Sequence, residues 1–257
     1  MTLNQNRRRF LRNAAGLLVP AAGLLVPFQL KAAALVVRGP IVHAAAGGGG
    51  PVVFGKSDAD ARTYPSGTSG TNAWSVSPVS GRCIIVAVSW KLDVTVTSVT
   101  DSQGNTYVDC GAGRLARPTD GFLQLFGATN IIGGANTCTV NFSSSADEIV
   151  IDLLEYSGQN TSSLWDSATA TGTATSGTSV TSGNLTPAVT NGAVIGFTNS
   201  NDTDCTAGTN FTVRISGDGM GEEDRIFTSS VGTITATVNF SVEITKAAII
   251  AATIKAA

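Results

Sequence analysis

The residues best placed to do chemistry are acids, and the first is Glu155. It sits in the run Ile149 to Tyr156, where two-residue alternation puts it on one face with Ile149, Ile151 and Leu153. A carboxylate among such core residues must be paired, hydrogen-bonded or raised in pKa. Two roles are open. One is half of a glycosidase-type carboxylate pair with Glu222, Glu223 or Asp224. The other, which is favoured, is a structural acid capping a strand end or pairing with Arg82 or Arg225. Glu155 and Glu223 are the catalytic candidates.

Asp202 and Asp204, like the Asp101 turn, offer loop oxygens of the kind that hold calcium, although neither segment has the spacing of a defined calcium loop. Solvated turn acids explain them better, and calcium is the one cofactor left open. Trp74 and Trp165 lie in Ser/Thr/Gly-rich surroundings and are the aromatics expected at the surface, where they would stack on a sugar ring. Trp90 and Tyr156 end apolar runs and are expected in the core or at its rim.

Cys83, Cys110, Cys138 and Cys205 are even in number, so an oxidising compartment would allow two disulfides. Cys110 with Cys205, both near turns, is the preferred pair, while Cys83 inside an apolar run suits a buried thiol. No Cys-x-x-Cys occurs, which speaks against zinc or redox work. The single histidine is His43, so the chain beyond it has no imidazole for a metal, a haem or a Ser-His-Asp triad.

These residues must be positioned by strands. Only 13% of the chain is charged, and Thr, Val and Ile abound, which suits pleated surfaces better than solvated helices. Arg82 to Trp90 is almost continuously apolar and reads as a central strand. Val94 to Thr100, Phe122 to Thr129 and Thr137 to Ser143 follow, separated by Gly, Asn and Ser turns. Phe211, Val213 and Ile215 alternate with polar residues, as do Ile234, Ala236, Val238, Phe240 and Val242. Ala247 to Ile254 is apolar on both faces and closes the set. The expectation is an all-β antiparallel sandwich of jelly-roll type, following an N-terminal signal helix. A single domain over residues 47–257 is the simplest division, and two smaller sandwiches meeting near Ser167 to Gly183 are the other.

Charge divides the chain. Arg7, Arg8, Arg9, Arg12, Lys31 and Arg38 precede the first acid, Asp58. The remainder holds 10 Lys and Arg against 18 Asp and Glu, a net charge near -8. Such a domain has no electrostatic reason to bind nucleic acid. The basic start, Asn6-Arg7-Arg8-Arg9-Phe10-Leu11-Arg12, resembles a twin-arginine export signal, and Ala14 to Pro20 repeats letter for letter as Ala21 to Pro27 behind it. Residues 1–46 are therefore expected to be a signal peptide and leader, cleaved near Ala34 or Ala46. No permanent membrane span is expected after cleavage. No Cys follows the apolar region for lipid attachment. The absent imidazole separates export from the cofactor loading that this route often serves.

Three motifs carry a second resemblance: Val99 to Tyr107, Leu154-Glu155-Tyr156-Ser157-Gly158, and Glu223-Asp224-Arg225. From Arg82 onward the chain resembles a bacterial β-sandwich domain of secreted and cell-surface proteins, sometimes found beside fibronectin-like modules. The resemblance implies fold and location and brings no catalytic residues to carry over. The functional expectation is an exported, non-enzymatic sandwich in surface attachment or extracellular structure, with a carbohydrate or cell-surface polymer as partner. A carboxylate-dependent polysaccharide-active enzyme and a self-assembling structural subunit are the alternatives.

Overall fold

The computed structural model describes residues 50–60, 64–200, 204–217 and 219–257. The leader, both cleavage positions and Asp202 lie outside the described residues. No helix occurs among the described residues, and every strand pair is antiparallel. The first half of the folded chain holds β1 (Val53–Asp58), β2 (Gly67–Ala73), β3 (Cys83–Lys91), β4 (Val96–Asp101), β5 (Val108–Asp109), β6 (Leu115–Ala116), β7 (Phe122–Ala128) and β8 (Thr137–Ser157). The second holds β9 (Trp165–Ala174), β10 (Ser179–Leu185), β11 (Gly192–Ser200), β12 (Cys205–Thr206), β13 (Thr212–Gly217), β14 (Met220–Phe227), β15 (Ile234–Phe240) and β16 (Ala247–Lys255).

Each half is a sandwich, and the two have one topology. In the first, the larger sheet runs β1-β8-β3-β7-β5, with β6 also on β7, while β2 and β4 flank the N-terminal part of β8. In the second, the larger sheet runs β9-β16-β11-β14-β13 and the smaller β10-β15-β12. One long strand, β8, serves both sheets of its half. Up to Ala146 it pairs with β2 and β4, and from Asp147 it pairs with β1 and β3. Its second-half counterpart is split into β15 and β16.

The register makes the correspondence residue by residue. Ser89 on β3 faces Val150 and Leu123, just as Asn199 on β11 faces Ala248 and Met220. The alignment of β8 with β15 and β16 needs no gap. Along it Thr137-Cys138-Thr139-Val140-Asn141-Phe142-Ser143 matches Thr235-Ala236-Thr237-Val238-Asn239-Phe240-Ser241 at all positions but Cys138/Ala236. The fold is an internal duplication.

The two larger sheets pack against each other, so the layers run small sheet, large sheet, large sheet, small sheet. Three cores fill the gaps. The central one joins Ile85, Leu123, Leu125 and Leu154 to Ile195, Phe197, Ile250 and Ile254. The outer ones lie beneath the small sheets, around Trp90, Val140 and Ile151 in the first half and around Val238, Phe240 and Ile249 in the second. This explains the apolar runs of β3, β11 and β16, whose side chains face a core on both sides. The halves form one compact unit whose boundary falls between Ser157 and Trp165. The Ser167 to Gly183 stretch holds most of β9 and most of β10. Gly172 is required there, because a Cβ would lie 1.7 Å from the carbonyl oxygen of Thr181.

Contacts across the central core are reciprocal, as in a twofold dimer. Edge strand β1 meets β13, where Ser57 Oγ donates to the Arg214 carbonyl at 3.2 Å. At the opposite edge, Trp165 Nε1 at the start of β9 donates to the Val108 carbonyl of β5 at 3.3 Å. Ser89 and Asn199, equivalent residues, touch each other at 3.2 Å.

Candidate functional site

Among the described residues, six that are not glycine have left-handed backbone: Tyr64, Leu92, Thr119, Asn130, Glu148 and Asn210. Asn adopts this conformation readily, whereas the others do so at a cost of roughly 1–3 kcal/mol each. All four of those others gather at one end of the molecule. Tyr64 (φ 49°) and Glu148 (φ 45°) line a cavity of about 270 Å³. Leu92 (φ 71°) and Thr119 (φ 74°) line an adjoining one of about 420 Å³, and the two share Lys91 and Arg117.

The larger sheets position this double cleft. Lys91 ends β3, Glu148 sits where β8 passes from one sheet to the other, and Arg117 follows β6. From the second half come Asn199 and Ser200 of β11, Met220 of β14 and Lys246 just before β16. Ser89 is equivalent to Asn199, and Glu148 to Lys246, so the cavity lies on the pseudo-twofold axis.

Its polar groups form one network. Lys91 Nζ lies 2.6 Å from Glu148 Oε1 and 3.8 Å from Asp120 Oδ2. Lys246 Nζ lies 2.5 Å from Asp120 Oδ1. Arg117 ties the halves together, its NH1 donating to the Ser200 carbonyl at 2.6 Å while Nε and NH2 hold the carbonyl and carboxylate of Asp120. Burial by itself would raise the Asp120 pKa, but the Lys246 hydrogen bond and the Arg117 and Lys91 charges hold it below the ordinary aspartate value. Burial lowers the Arg117 pKa against the pull of Asp120. The cleft thus presents cations beside carboxylates, with amide and hydroxyl groups on its floor.

The sequence candidates lie elsewhere. Glu155 is fully buried on the outer side of its sheet, where Oε1 accepts the Val79 N–H at 2.6 Å and Oε2 lies 3.2 Å from Arg82 and 3.5 Å from Lys56. Glu223 is buried beneath the other small sheet, accepting the N–H groups of Gly208 at 2.8 Å and Thr237 at 3.0 Å. Both larger sheets lie between these carboxyls, a separation beyond the ~10 Å of one sheet-to-sheet spacing. A glycosidase pair needs roughly 5–9.5 Å. They are not a catalytic pair. Burial pushes the Glu223 carboxyl up to about 7.

Trp74 and Trp165 are buried instead of exposed, at 8% and 9%. Lys56 lies 5.3 Å over the Trp74 ring, and Trp165 packs beneath Gly127 in the central core. Neither offers a stacking face.

The Cys110–Cys205 disulfide is not formed, and all four cysteines are buried free thiols. Cys110 belongs to the central core and Cys205 to the outer core of the second half, on opposite sides of a sheet. Cys83 shares the central core and Cys138 the outer core of the first half. Burial raises all four pKa values, Cys110 and Cys138 to about 12, which makes them unreactive.

Asp204 is exposed beside β12, and no group of three or more metal-capable His, Cys, Asp or Glu occurs among the described residues. Asp101 is occupied by protein donors: Gln103 N and Asn105 N on Oδ1, and Asn105, Tyr107 and Asn136 side chains on Oδ2. Burial alone would raise its pKa, and these bonds bring it below the ordinary value. The Val99 to Tyr107 motif is therefore a turn built around one aspartate.

The other two motifs meet across the central core. Tyr156 Oη donates to Asp224 Oδ2 at 2.9 Å, and Arg214 clasps both oxygens of Asp224 at 2.9 Å while lying 4.0 Å over the Phe54 ring. They hold the halves together.

Comparison with known protein families, with characterised proteins and with solved structures finds no match to this chain.

Proposed function

We propose that this chain is an exported, non-enzymatic β-sandwich protein that binds carbohydrate at a bacterial cell surface or outside the cell, with the axial cleft as its sugar site. The observation that carries the proposal is the gathering of Tyr64, Leu92, Thr119 and Glu148, four costly left-handed residues, around one polar cleft. Sugar hydroxyls both donate and accept. Ammonium and carboxylate groups set side by side, as in Lys91 with Glu148 and Lys246 with Asp120, suit neighbouring hydroxyls of a ring. The cavity of about 270 Å³ has room for a short saccharide. The burial of Glu155 and Glu223 on separate layers favours binding over glycosidic chemistry. No cofactor is invoked. The repeated strand order supports reading each half as a jelly roll.

A glycan array of short oligosaccharides, probed with the chain lacking residues 1–46, tests this. Binding to a restricted set of glycans is expected. Lys91→Ala and Glu148→Ala should each weaken it about tenfold or more, as loss of a charged hydrogen bond does. No binding, or binding indifferent to both substitutions, would sink the proposal.

A further inference from the structure

The duplication has preserved more than a core. In the matched segments of β8 and β15, the inward residues Val140/Val238 and Phe142/Phe240 are explained by packing. The outward ones lie outside the cores and bond differently in the two halves, Asn141 donating to Ser98 but Asn239 to the Ala207 carbonyl, yet Thr137/Thr235, Thr139/Thr237, Asn141/Asn239 and Ser143/Ser241 are identical. Elsewhere the halves have drifted far. Across Cys83–Ser89 and Ala193–Asn199, equivalent core strands, only Ile85 and Ile195 agree. Outward positions on a sheet normally drift first.

Neighbouring strands extend these residues into rows. In the first half Thr71, Thr139 and Thr100 stand side by side, and so do Ser69, Asn141 and Ser98. In the second half Thr181 stands beside Thr237, their hydroxyls 3.4 Å apart, and Ser179, Asn239 and Thr206 form the next row. Strands β2, β10, β12 and β15 and residues 137–146 of β8 contain no Asp, Glu, Lys or Arg, and β4 has only Asp101, which its own turn occupies. Solvent-facing sheets ordinarily carry Lys or Glu, at their edges above all.

We propose that the two small sheets are equivalent binding faces for an uncharged, hydroxyl-rich polysaccharide chain, and that the protein bridges two such chains. The absence of charge selects a neutral polymer, because these faces hold no cation to balance an acidic one. The hydroxyl and amide rows match a surface of hydroxyls. Bulges at Val96/Ser98, Gly67/Ser69 and Thr181/Asn184 break the flatness that a rigid crystal face would demand, whereas a single flexible chain follows a twisted sheet. The faces form the two outermost layers, so one polymer segment cannot cover both.

The test uses the chain from residue 47 onward with long, soluble, neutral glucans, namely mixed-linkage β-glucan, xyloglucan and pullulan. Binding to at least one, with turbidity or gelation near equivalence, is expected. Thr139→Glu and Thr237→Glu each place a charge in the centre of one face, and circular dichroism checks their fold. Each single variant should still bind while losing cross-linking, with about half the wild-type stoichiometry, and the double variant should lose at least tenfold in affinity. Thr139→Val and Thr237→Val, which keep the β-branched shape, should also weaken binding. The double variant, whose two substitutions lie outside the axial cleft, should keep the wild-type binding of short oligosaccharides there, which separates this inference from the cleft proposal. Wild-type protein that binds none of the glucans, a double variant that binds as wild type, or a single variant that still cross-links would each overturn it. Cross-linking by a single variant would point to self-association.

Discussion

Glu223 shows what a buried residue costs and when. Two backbone N–H groups favour its charged form, yet desolvation outweighs them and brings the pKa up to about 7 from an ordinary 4.5. Between those values the folded chain holds a proton that the unfolded chain has released. Glu223 therefore favours folding fully below about pH 4.5, and this contribution is lost as pH rises through about 7. Asp101 and Asp120 act oppositely. Their depressed values stabilise the fold above the ordinary aspartate value of 3.8, and that support fades as pH falls below it. Melting temperatures measured from pH 4.5 to 7.5 should decline with pH in the wild type. Glu223→Gln should flatten that decline while lowering stability throughout, since an amide cannot accept from both Gly208 and Thr237. An unchanged slope in Glu223→Gln would assign the titration to another group.

At the scale of elements, much was legible and the site was not. Alternation located β13 and β15, and continuous apolarity located β3 and β16, because side-chain period follows directly from burial. The low-complexity stretch from Ser167 hid β9 and β10, since Thr, Ser, Gly and Ala fit an edge strand as well as a linker. The recurrence of Thr137 to Ser143 at Thr235 to Ser241 was open to inspection, but it is the one segment where the halves still look alike. The cleft left no signal. Its residues are scattered from Tyr64 to Lys246, and left-handed Tyr, Leu, Thr and Glu carry no residue-type marker of the kind Gly and Asn supply. The motifs Leu154–Gly158 and Glu223–Arg225 proved to be elements meeting across the central core. Tyr156→Phe removes one hydrogen bond while Arg214 still clasps Asp224, and should cost about 1 kcal/mol. Asp224→Ala strands the Tyr156 hydroxyl and the Arg214 guanidinium together, and should cost roughly 3–5 kcal/mol. Denaturant unfolding of both variants checks the order, and equal costs would mean that the aspartate is not the shared hub.

The whole molecule behaves as a dimer written into one chain. Its halves bury equivalent faces and meet reciprocally at both edges, and the axis between them supplies the cleft. The central core should therefore couple the halves, so that calorimetry of the wild type gives one unfolding transition. Gly127 is the position that tests this. On β7, it lets Leu164 and Trp165 of the second half lie flat against the sheet, and a Cβ there would sit 2.4 Å from Leu164 Cδ2 and 2.7 Å from Trp165 Cζ2. Neither side chain has room to retreat, because both are already buried. Gly127→Val adds β-branched bulk to that contact, and overpacking of this kind costs typically ~1–3 kcal/mol or more. The strain falls between the halves and leaves the outer cores, each within one half, untouched. The expected outcome is a split transition with the lower component well below the wild-type melting temperature, together with increased binding of an apolar dye to the exposed central faces. Lys91, Arg117 and Lys246 then lose their common frame, so cleft binding should fall even though no cleft residue has changed. The outer faces, each carried by its own sandwich, should still hold polymer. A single cooperative transition with intact cleft binding would show that the halves are independent of the contact at Gly127.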